Sequence, residues 1–253
     1  MRKYGQHFLV SQNVIGGIVA AVPPSATNVV EIGPGKGALT ELLVQKNFSR
    51  FSAVEIDPEM KAYLEEHFPA LKGRVILQNF LKFDFNLLAQ EPTFFVSNLP
   101  YIDAAEILDK VLAWPFFDGA VFMFQKEQAQ RILAKVGADG YGPLSILSQV
   151  RSVPKQLLKV GKACFNPPPK VESMVLTFDK KEWPLERGTE YARLVRLVKA
   201  AFLHRRKTLF NSLSLCGYEK AKVESALNAL NLKPTVRAEE VGLAQFLQLS
   251  KAL

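Results

Sequence analysis

Short apolar runs alternate with segments of helical periodicity through the first half of the chain. The runs that predict β-strands are Asn28 to Ile32, Phe51 to Ile56, Val75 to Leu77, Phe94 to Ser97 and Ala120 to Phe124. The segments that predict helices are residues 14–22, 38–45, 58–68, 104–112 and 126–134. Strands and helices that alternate at this spacing predict βαβ units, and therefore an α/β fold with a parallel sheet covered by helices on both faces.

The pattern changes in the last third of the chain. Val171 to Phe178 alternates apolar and polar residues, which predicts a late edge strand. Lys180 to Pro184 has the composition of a linker, and the apolar residues beyond it recur at helical spacing from Tyr191 to Phe202. Further helices are predicted at residues 218–230 and 239–249. The predicted domains are therefore an α/β domain at residues 1–182 and a small all-helical domain at residues 183–253.

The positive charge of the chain is concentrated toward its C-terminal end. The 253 residues carry a formal net charge of +8 with a pI near 9.4, and 48% of them are hydrophobic. Residues 181–253 hold 13 basic and 7 acidic side chains, whereas residues 1–180 hold 19 and 17. A basic surplus in one part of a globular protein is typical of a surface that meets phosphates, so we expect a polyanionic partner.

Cysteine usage and hydropathy exclude several classes of protein. Cys164 and Cys216 form no CxxC pair, so we expect no metal site and a reducing, cytoplasmic setting. No apolar stretch reaches membrane-spanning length, so we expect no membrane partner. The apolar run from Val14 to Val22 follows two basic residues, but prolines stand where a signal peptide has small residues for cleavage, and we expect none here.

A glycine-rich loop joins the first of these strands to the following helix. Gly33, Gly35 and Gly37 alternate in it, which matches neither the dinucleotide fingerprint nor a P-loop. With Pro34 in place, the loop favours a ligand made of a nucleoside and an amino acid, such as S-adenosylmethionine. Glu55 follows about 20 residues later, at a strand end where an acid hydrogen-bonds both ribose hydroxyls. The alternative for the loop alone is a plain turn.

The most informative segment is Asn98-Leu99-Pro100-Tyr101, which follows an apolar strand. Ligands of open α/β sheets bind beside such strand ends. We predict that the Asn98 side-chain oxygen and the Leu99 carbonyl accept the two N6 hydrogens of an adenine, so that the nitrogen lone pair points at a methyl donor. Tyr101 is predicted to stack on the extruded base, a contact worth about 1–3 kcal/mol. Taken alone, the tetrapeptide is typical of a turn after a strand.

Several further residues have two interpretations each. Asn79 either offers an oxygen to the adenine amine of the cofactor or caps a strand end. Phe165, which precedes a run of three prolines, either clamps the other face of the target base or is a core residue. Lys170 meets a phosphate or solvent, and His7 is a wall of the cofactor pocket or a core residue rather than a catalytic base. Arg205, Arg206 and Lys207 either bind the phosphates of the polyanionic partner or form a solvated helix face.

Together these motifs resemble the KsgA-type ribosomal RNA adenine dimethyltransferases. The resemblance is carried by Tyr4-Gly-Gln-His-Phe-Leu9, Val30-Glu-Ile-Gly-Pro-Gly35, Ala38-Leu-Thr-Glu41, Val54-Glu-Ile-Asp57, Asn98-Leu-Pro-Tyr101, Phe124-Gln-Lys-Glu127, Tyr141-Gly-Pro-Leu-Ser145, Phe165-Asn-Pro-Pro-Pro-Lys-Val171 and His204-Arg-Arg-Lys-Thr-Leu209. It implies a Rossmann-like class I methyltransferase domain followed by a small all-helical domain. It also implies dimethylation of N6 of two adjacent adenosines near the 3′ end of small-subunit (16S) rRNA, with S-adenosylmethionine, late in small-subunit assembly.

The resemblance also implies roles for individual residues. Carried over position by position, the cofactor contacts fall on His7, Leu9, Gly33, Glu55, Asn79 and Asn98, to which we add Gly35, Ile56 and Phe80. The target base is expected at Asn98, Leu99, Pro100, Tyr101 and Phe165. The rRNA, within a pre-ribosomal particle, is expected at Lys170, Arg205, Arg206 and Lys207. We expect a monomer that needs no metal.

This chain departs from the family pattern at three places. His7 stands where the family usually has asparagine, and Asn79 stands where it usually has aspartate, which removes a charge beside the cofactor and predicts weaker cofactor binding. After Tyr101 the family commonly continues with asparagine, whereas this chain has Ile102 and Asp103. Asp103 adds a negative charge near the expected RNA path, so this departure concerns how the target fits.

Three other functions compete with this hypothesis. An Erm-type methyltransferase would modify one adenosine of 23S rRNA, and the segments from Phe124 and Phe165 favour the small-subunit enzyme over it. A weakly active assembly or RNA-binding factor would not need the intact Asn98 motif. A DNA adenine methyltransferase usually has an acidic residue in place of Asn98 and a domain for sequence readout, for which the chain shows no signal.

Overall fold

The computed structural model describes residues 7–46, 48–182 and 189–253. They form two compact units. The first unit runs up to Ala129 and resumes from Ser152 to Lys180, whereas the second consists of Gln130 to Arg151 and the chain from Lys181 onward. The predicted boundary at 182/183 lies close to the last of the three divisions, between Lys180 and Lys181, but the prediction did not include Gln130 to Arg151 in the second unit.

Nine β-strands lie in the described part of the first unit. In chain order they are β1 (Phe8–Leu9), β2 (Asn28–Ile32), β3 (Arg50–Glu55), β4 (Val75–Leu77), β5 (Thr93–Asn98), β6 (Phe117–Gln125), β7 (Ser152–Val160), β8 (Phe165–Asn166) and β9 (Ser173–Lys180). Seven of them form one sheet in the order β4-β3-β2-β5-β6-β9-β7, and β1 pairs with β8 in a separate antiparallel ribbon. β4, β3, β2, β5 and β6 are parallel, whereas β9 runs antiparallel to both of its neighbours.

Ten α-helices complete the described structure. The helices α1 (Gln12–Ala20), α2 (Thr40–Leu43), α3 (Pro58–His67) and α4 (Ala104–Ala113) belong to the first unit, and α5 (Lys126–Leu133) begins in the first unit and ends in the second. The helices of the second unit are α6 (Pro143–Arg151), α7 (Thr189–Leu203), α8 (Leu209–Leu215), α9 (Lys220–Ala229) and α10 (Leu243–Ala252). Within the described residues, no helix is both long and apolar enough to cross a membrane.

The central strands are buried on both faces, as expected of strands in a largely parallel sheet. Every residue of β2 is buried, and Phe95 on β5 and Phe122 on β6 are completely inaccessible to solvent. Full burial of such a side chain stabilises a fold by about 1.5–3 kcal/mol. Glu31 on β2 and Glu55 on β3 are buried carboxyl groups within this apolar sheet, which makes them functional candidates.

The second unit is built around the apolar face of α7. Leu194, Leu197, Val198 and Ala201 recur at helical spacing and are all buried, so they form a stripe that faces the core of the unit. Side chains of α6, α8, α9 and α10 pack in the same cluster. The hydroxyl of Tyr141 donates a hydrogen bond to the Val241 carbonyl at 2.9 Å. The prediction of a helical C-terminal domain is confirmed for the described residues.

Several predicted elements differ from the observed ones. The segment predicted as an edge strand, Val171 to Phe178, is β9, which begins at Ser173 and lies between β6 and β7 inside the sheet. The strand at this edge of the sheet is β7, which was not predicted. The helices α6 and α8 were not predicted either. Because β9 is antiparallel to its neighbours, the sheet is mixed rather than parallel throughout.

Candidate active site

The candidate site lies at the carboxyl ends of β2, β3 and β5. β2 pairs with β3 on one side and with β5 on the other, and its residues are in register with both. The loops that leave β2 and β5 therefore diverge to opposite sides of the sheet, and a crevice forms between them at this switch point. The sequence predicted candidate residues at all three of these strand ends.

The glycine loop after β2 turns sharply and leaves open space beside it. Gly33, Gly35 and Gly37 have φ angles of 63°, 56° and 81°, which only glycine adopts without strain. The Gly33 amide donates to the Val54 carbonyl at 2.9 Å, so the loop is tied to β3. A Cβ atom built on Gly33 would meet no atom within 4 Å, whereas one on Gly35 would lie 3.3 Å from the Phe8 ring. The space beside Gly33 is thus free for a ligand.

The Glu55 carboxylate at the end of β3 is held by three backbone amides. Gly35 donates to Oε2 at 3.1 Å, and Ile56 and Asp57 donate to Oε1 at 2.8 and 2.9 Å. Burial raises the pKa of Glu55, and the three hydrogen bonds oppose that shift. A carboxylate has about four acceptor positions, so about one is left for a ligand hydroxyl. The carboxylate therefore has room for about one ribose hydroxyl, whereas the sequence analysis predicted that Glu55 binds both.

Glu31 is a buried carboxyl group to which the sequence analysis gave no role. It is 1% exposed, and Thr40 Oγ1 donates to its Oε2 at 2.6 Å. Burial raises the pKa of Glu31 to about 8, the Thr40 hydrogen bond opposes that shift, and the negative charge of Glu55 adds to it. The signal that could have identified it is an acid within an apolar strand, two residues before the glycine loop. Glu31 therefore places a second carboxyl group beneath the crevice.

Asn98 ends β5 with a side-chain amide that is available to a ligand. It lies opposite Met123 on β6 and is partly exposed, and no residue that the structure describes hydrogen-bonds to its side chain. The preceding residue, Ser97, donates through Oγ to the Ile32 carbonyl at 2.5 Å, which ties the end of β5 to β2. Leu99 is 2% exposed, so its side chain is buried and offers no surface to a ligand.

Tyr101 is fixed by a partner that the sequence analysis did not identify. Its hydroxyl lies 2.8 Å from Ser173 Oγ at the start of β9, and burial raises the pKa of the phenol. Its ring lies 6.2 Å from the His7 imidazole at an interplanar angle of 26°. His7 Nδ1 is in turn 2.8 Å from the Pro167 carbonyl. The N-terminal segment and the proline run thus meet beside Tyr101.

The turn after Tyr101 projects an apolar side chain into solvent. The Asp103 amide donates to the Pro100 carbonyl at 3.2 Å, and α4 begins at the next residue. Pro100 is exposed and Ile102 is 95% exposed. Ile102 and Asp103, which form one of the three departures from the family pattern, therefore directly follow the candidate site residue Tyr101.

Phe165 and Leu9 lie next to each other, but both are buried. They face each other across the β1–β8 ribbon and are 3% and 4% exposed within the hydrophobic core. This burial agrees with the alternative of a core residue for Phe165. A clamp on the target base would require its ring to become exposed, so that role stays a prediction. Leu9 is buried as well, so its predicted contact with the cofactor also stays a prediction.

Asn79 caps a turn, as the alternative interpretation held. Its Oδ1 accepts from the Leu81 amide at 2.8 Å at the start of a short 3₁₀ turn, so the oxygen expected to meet an adenine amine is already engaged. The Phe80 ring is 6% exposed and stacks on Phe83, so its predicted contact with the cofactor stays a prediction. Ile56 is 41% exposed and offers apolar surface instead.

The predicted RNA-contacting residues are all exposed. Lys170 follows the proline run of the first unit. Arg205, Arg206 and Lys207 belong to the second unit and lie in the turn between the end of α7 at Leu203 and the start of α8 at Leu209. They therefore do not form a helix face, which corrects the alternative interpretation. Among the described residues, no group of three or more His, Cys, Asp or Glu side chains could hold a metal ion.

Comparison with known proteins gives consistent matches along the chain. The family model described as ribosomal RNA adenine dimethylase matches residues 1–253. A relative from Syntrophotalea carbinolica, named ribosomal RNA small subunit methyltransferase A, is 37% identical over 255 residues, which cover 100% of this chain and 96% of the relative.

Solved structures match the fold over nearly the same length. A dimethyladenosine transferase from Plasmodium falciparum has a TM-score of 0.80 at 24% identity and covers 96% of each chain. The 23S rRNA methyltransferase ErmE has a TM-score of 0.70 at 26% identity, covering 97% of this chain and 99% of its own. These matches confirm the predicted class I methyltransferase fold, which implies the use of S-adenosylmethionine.

Proposed function

The chain belongs to the ribosomal RNA adenine dimethylase family, and from this premise we propose that it dimethylates N6 of two adjacent adenosines near the 3′ end of small-subunit rRNA. The observation that carries the proposal is the Asn98 amide at the end of β5, to which no described residue hydrogen-bonds and which lies at the same end of the sheet as Gly33 and Glu55. The relative named for the small subunit supports this choice of rRNA, since its identity to the chain is 37%, against 26% for ErmE.

The residues of the crevice fit S-adenosylmethionine. The space beside Gly33 is open, one acceptor position of Glu55 is left for a ribose hydroxyl, and Ile56 and Leu77 expose apolar surface at the ends of β3 and β4. S-adenosylmethionine supplies an electrophilic methyl group on a sulfonium centre. Glu55 would hold the ribose, and Ile56 would contact the adenine.

Asn98 and Leu99 orient the target amine. The Asn98 side-chain oxygen and the Leu99 carbonyl each accept one N6 hydrogen, which draws the nitrogen toward a tetrahedral shape and directs its lone pair at the methyl donor. The same two oxygens stabilise the positive charge that develops on the nitrogen. An amide is no base near neutral pH, so the proton leaves to water after the N–C bond has formed. Tyr101, held by Ser173, supports the base by stacking.

We also propose the setting in which this reaction takes place. The rRNA is expected within a pre-ribosomal particle in the cytoplasm, and the enzyme is expected to act as a monomer. The concentration of basic residues in the C-terminal part supports an RNA partner, since 13 of its side chains are basic and 7 are acidic.

Methyl transfer from labelled S-adenosylmethionine tests the proposal. The substrates are small-subunit particles that lack the modification, with free small-subunit rRNA and large-subunit rRNA as controls. We expect label on the particles, and primer extension should stop at two adjacent adenosines near the 3′ end. A product confined to one adenosine of 23S rRNA would establish the Erm-type alternative. No transfer to any RNA, with particle binding intact, would instead indicate a binding factor.

A further inference from the structure

The outer face of α7 carries two neighbouring concavities within the second unit. Arg196, Lys199 and Tyr218 line the first, which has a volume of about 360 Å³. Arg131, Lys199 and Arg205 line the second, of about 430 Å³. Both share Lys199 and Leu203 on α7, so they lie on either side of one ridge. We call the two concavities and this ridge the α7 groove.

The charge of the α7 groove is positive and unneutralised. Its lining contains four basic side chains, all exposed, and no acidic one. None of the four forms an ion pair with a residue that the structure describes. Other cations of the same unit do so, since Lys222 pairs with Glu219 at 3.0 Å and Arg237 with Glu239 at 2.8 Å. Unpaired cations gathered around a concavity favour a polyanionic ligand.

The groove also offers surface for a nucleobase. The Arg196 guanidinium lies over the Tyr218 ring, with its carbon atom 5.6 Å from the ring centre. This cation–π contact restrains the planar guanidinium group of Arg196. An unpaired base can stack on that group, as bases do on arginine in RNA-binding proteins. Leu203, shared by both concavities and 68% exposed, adds an apolar contact for a base or ribose. A ligand that combines phosphates with exposed flat bases fits this surface better than an acidic peptide does.

We propose that the α7 groove binds a looped, single-stranded segment of the substrate rRNA. Lys199, Arg131 and Arg205 hold its phosphates, and one splayed base stacks on Arg196. This inference rests on the proposed function, because the RNA is that of the substrate particle. It extends the predicted contact beyond Arg205, Arg206 and Lys207, of which only Arg205 lines the groove. The groove is formed by residues of the second unit, whereas the residues assigned to the chemistry belong to the first, so its loss weakens particle binding rather than the chemical step.

Binding of unmodified small-subunit particles at several salt concentrations tests the α7 groove. Lys199→Ala should weaken binding and lower the salt slope by about 0.7, the value for one phosphate contact on a single strand. Arg196→Lys keeps the charge but not the stacking plane, so it should weaken binding roughly tenfold with the slope unchanged. Lys222→Ala, which removes an exposed, ion-paired cation of the same unit, is the matched control and should bind like wild type. An unchanged thermal unfolding transition and an unchanged helix content by circular dichroism show that each variant is folded.

The outcomes separate this inference from the proposed function. Wild-type affinity and slope in both groove variants would overturn the inference, and so would equal losses in Lys222→Ala. Failure of wild-type methyl transfer, with particle binding still lost in the groove variants, would overturn the proposed function and leave the groove supported. Transfer measured at saturating particle should be near wild type in both variants, because the groove acts on affinity alone.

Discussion

At Asn98, one side-chain amide carries most of the proposed chemistry. Asn98→Ala removes an oxygen that stabilises charge in the transition state, and such a loss slows the chemical step by about 10²–10³-fold. Single-turnover methyl transfer measures it, and filter binding should show unchanged particle affinity. Asn86→Ala, at an exposed asparagine on a short 3₁₀ turn, is the control. Turnover near wild type in Asn98→Ala would contradict the mechanism.

Glu31 makes the stability of the fold depend on pH. Because burial raises its folded-state pKa from 4.5 to about 8, the stability that the protonated carboxyl contributes is fully present below pH 4.5 and is lost as the pH rises through 8. Glu31→Gln keeps an acceptor for Thr40 and cannot ionise. In urea unfolding between pH 5 and 8.5, the free energy of unfolding of the wild type should fall by a few kcal/mol relative to that of Glu31→Gln, since one pKa unit is worth about 1.4 kcal/mol. If Glu66→Gln, at an exposed carboxyl of α3, changed the pH dependence of unfolding by the same amount, the role of Glu31 would be refuted.

The loop after β2 is the element that sets access to the cofactor crevice. Gly33 and Gly73 both have positive φ angles and no atom within 4 Å of a built Cβ, but Gly73 precedes β4 at the opposite end of the sheet. Alanine at either position should cost about 1–2 kcal/mol of stability through backbone strain. Only Gly33→Ala should also raise the S-adenosylmethionine Kd, by roughly tenfold, because its methyl group enters the crevice. Calorimetric titration of both variants checks this, and equal Kd values would place the cofactor elsewhere.

Elements with strong periodicity were predictable, and those shaped by tertiary contacts were not. β2 was predicted with its observed bounds because all of its residues are buried. β7 was not predicted because an edge strand needs no apolar alternation. It also contains Pro154, and a proline is tolerated in a strand only where the missing amide would face solvent. The same logic holds at the site: Asn98 and Glu55 follow apolar strands, whereas the Tyr101–Ser173 contact joins residues 72 positions apart and leaves no local signal.

For the whole molecule, rRNA binding depends either on the net charge of the chain or on the positions of particular basic side chains. Ion pairs neutralise Lys155, Lys180 and Lys222, which lie 2.7–3.1 Å from carboxylates. Arg205, Arg206 and Lys207 are exposed in one turn and form no ion pair with a described residue. A chain whose formal charge is +8 therefore has basic side chains of two kinds, and only the unpaired ones are free to displace counterions from phosphates.

Two triple-alanine variants with equal net charge separate these effects. Replacement of Arg205, Arg206 and Lys207 should lower the salt slope of particle binding by about 2, at about 0.7 for each phosphate contact on a single strand. Replacement of Lys155, Lys180 and Lys222 removes the same charge and should leave the slope close to wild type, because these lysines are paired and dispersed. Binding measured across a range of salt concentrations gives both slopes. Equal reductions in the two variants would show that overall charge attracts the RNA, and the turn between α7 and α8 would then have no specific role in holding it.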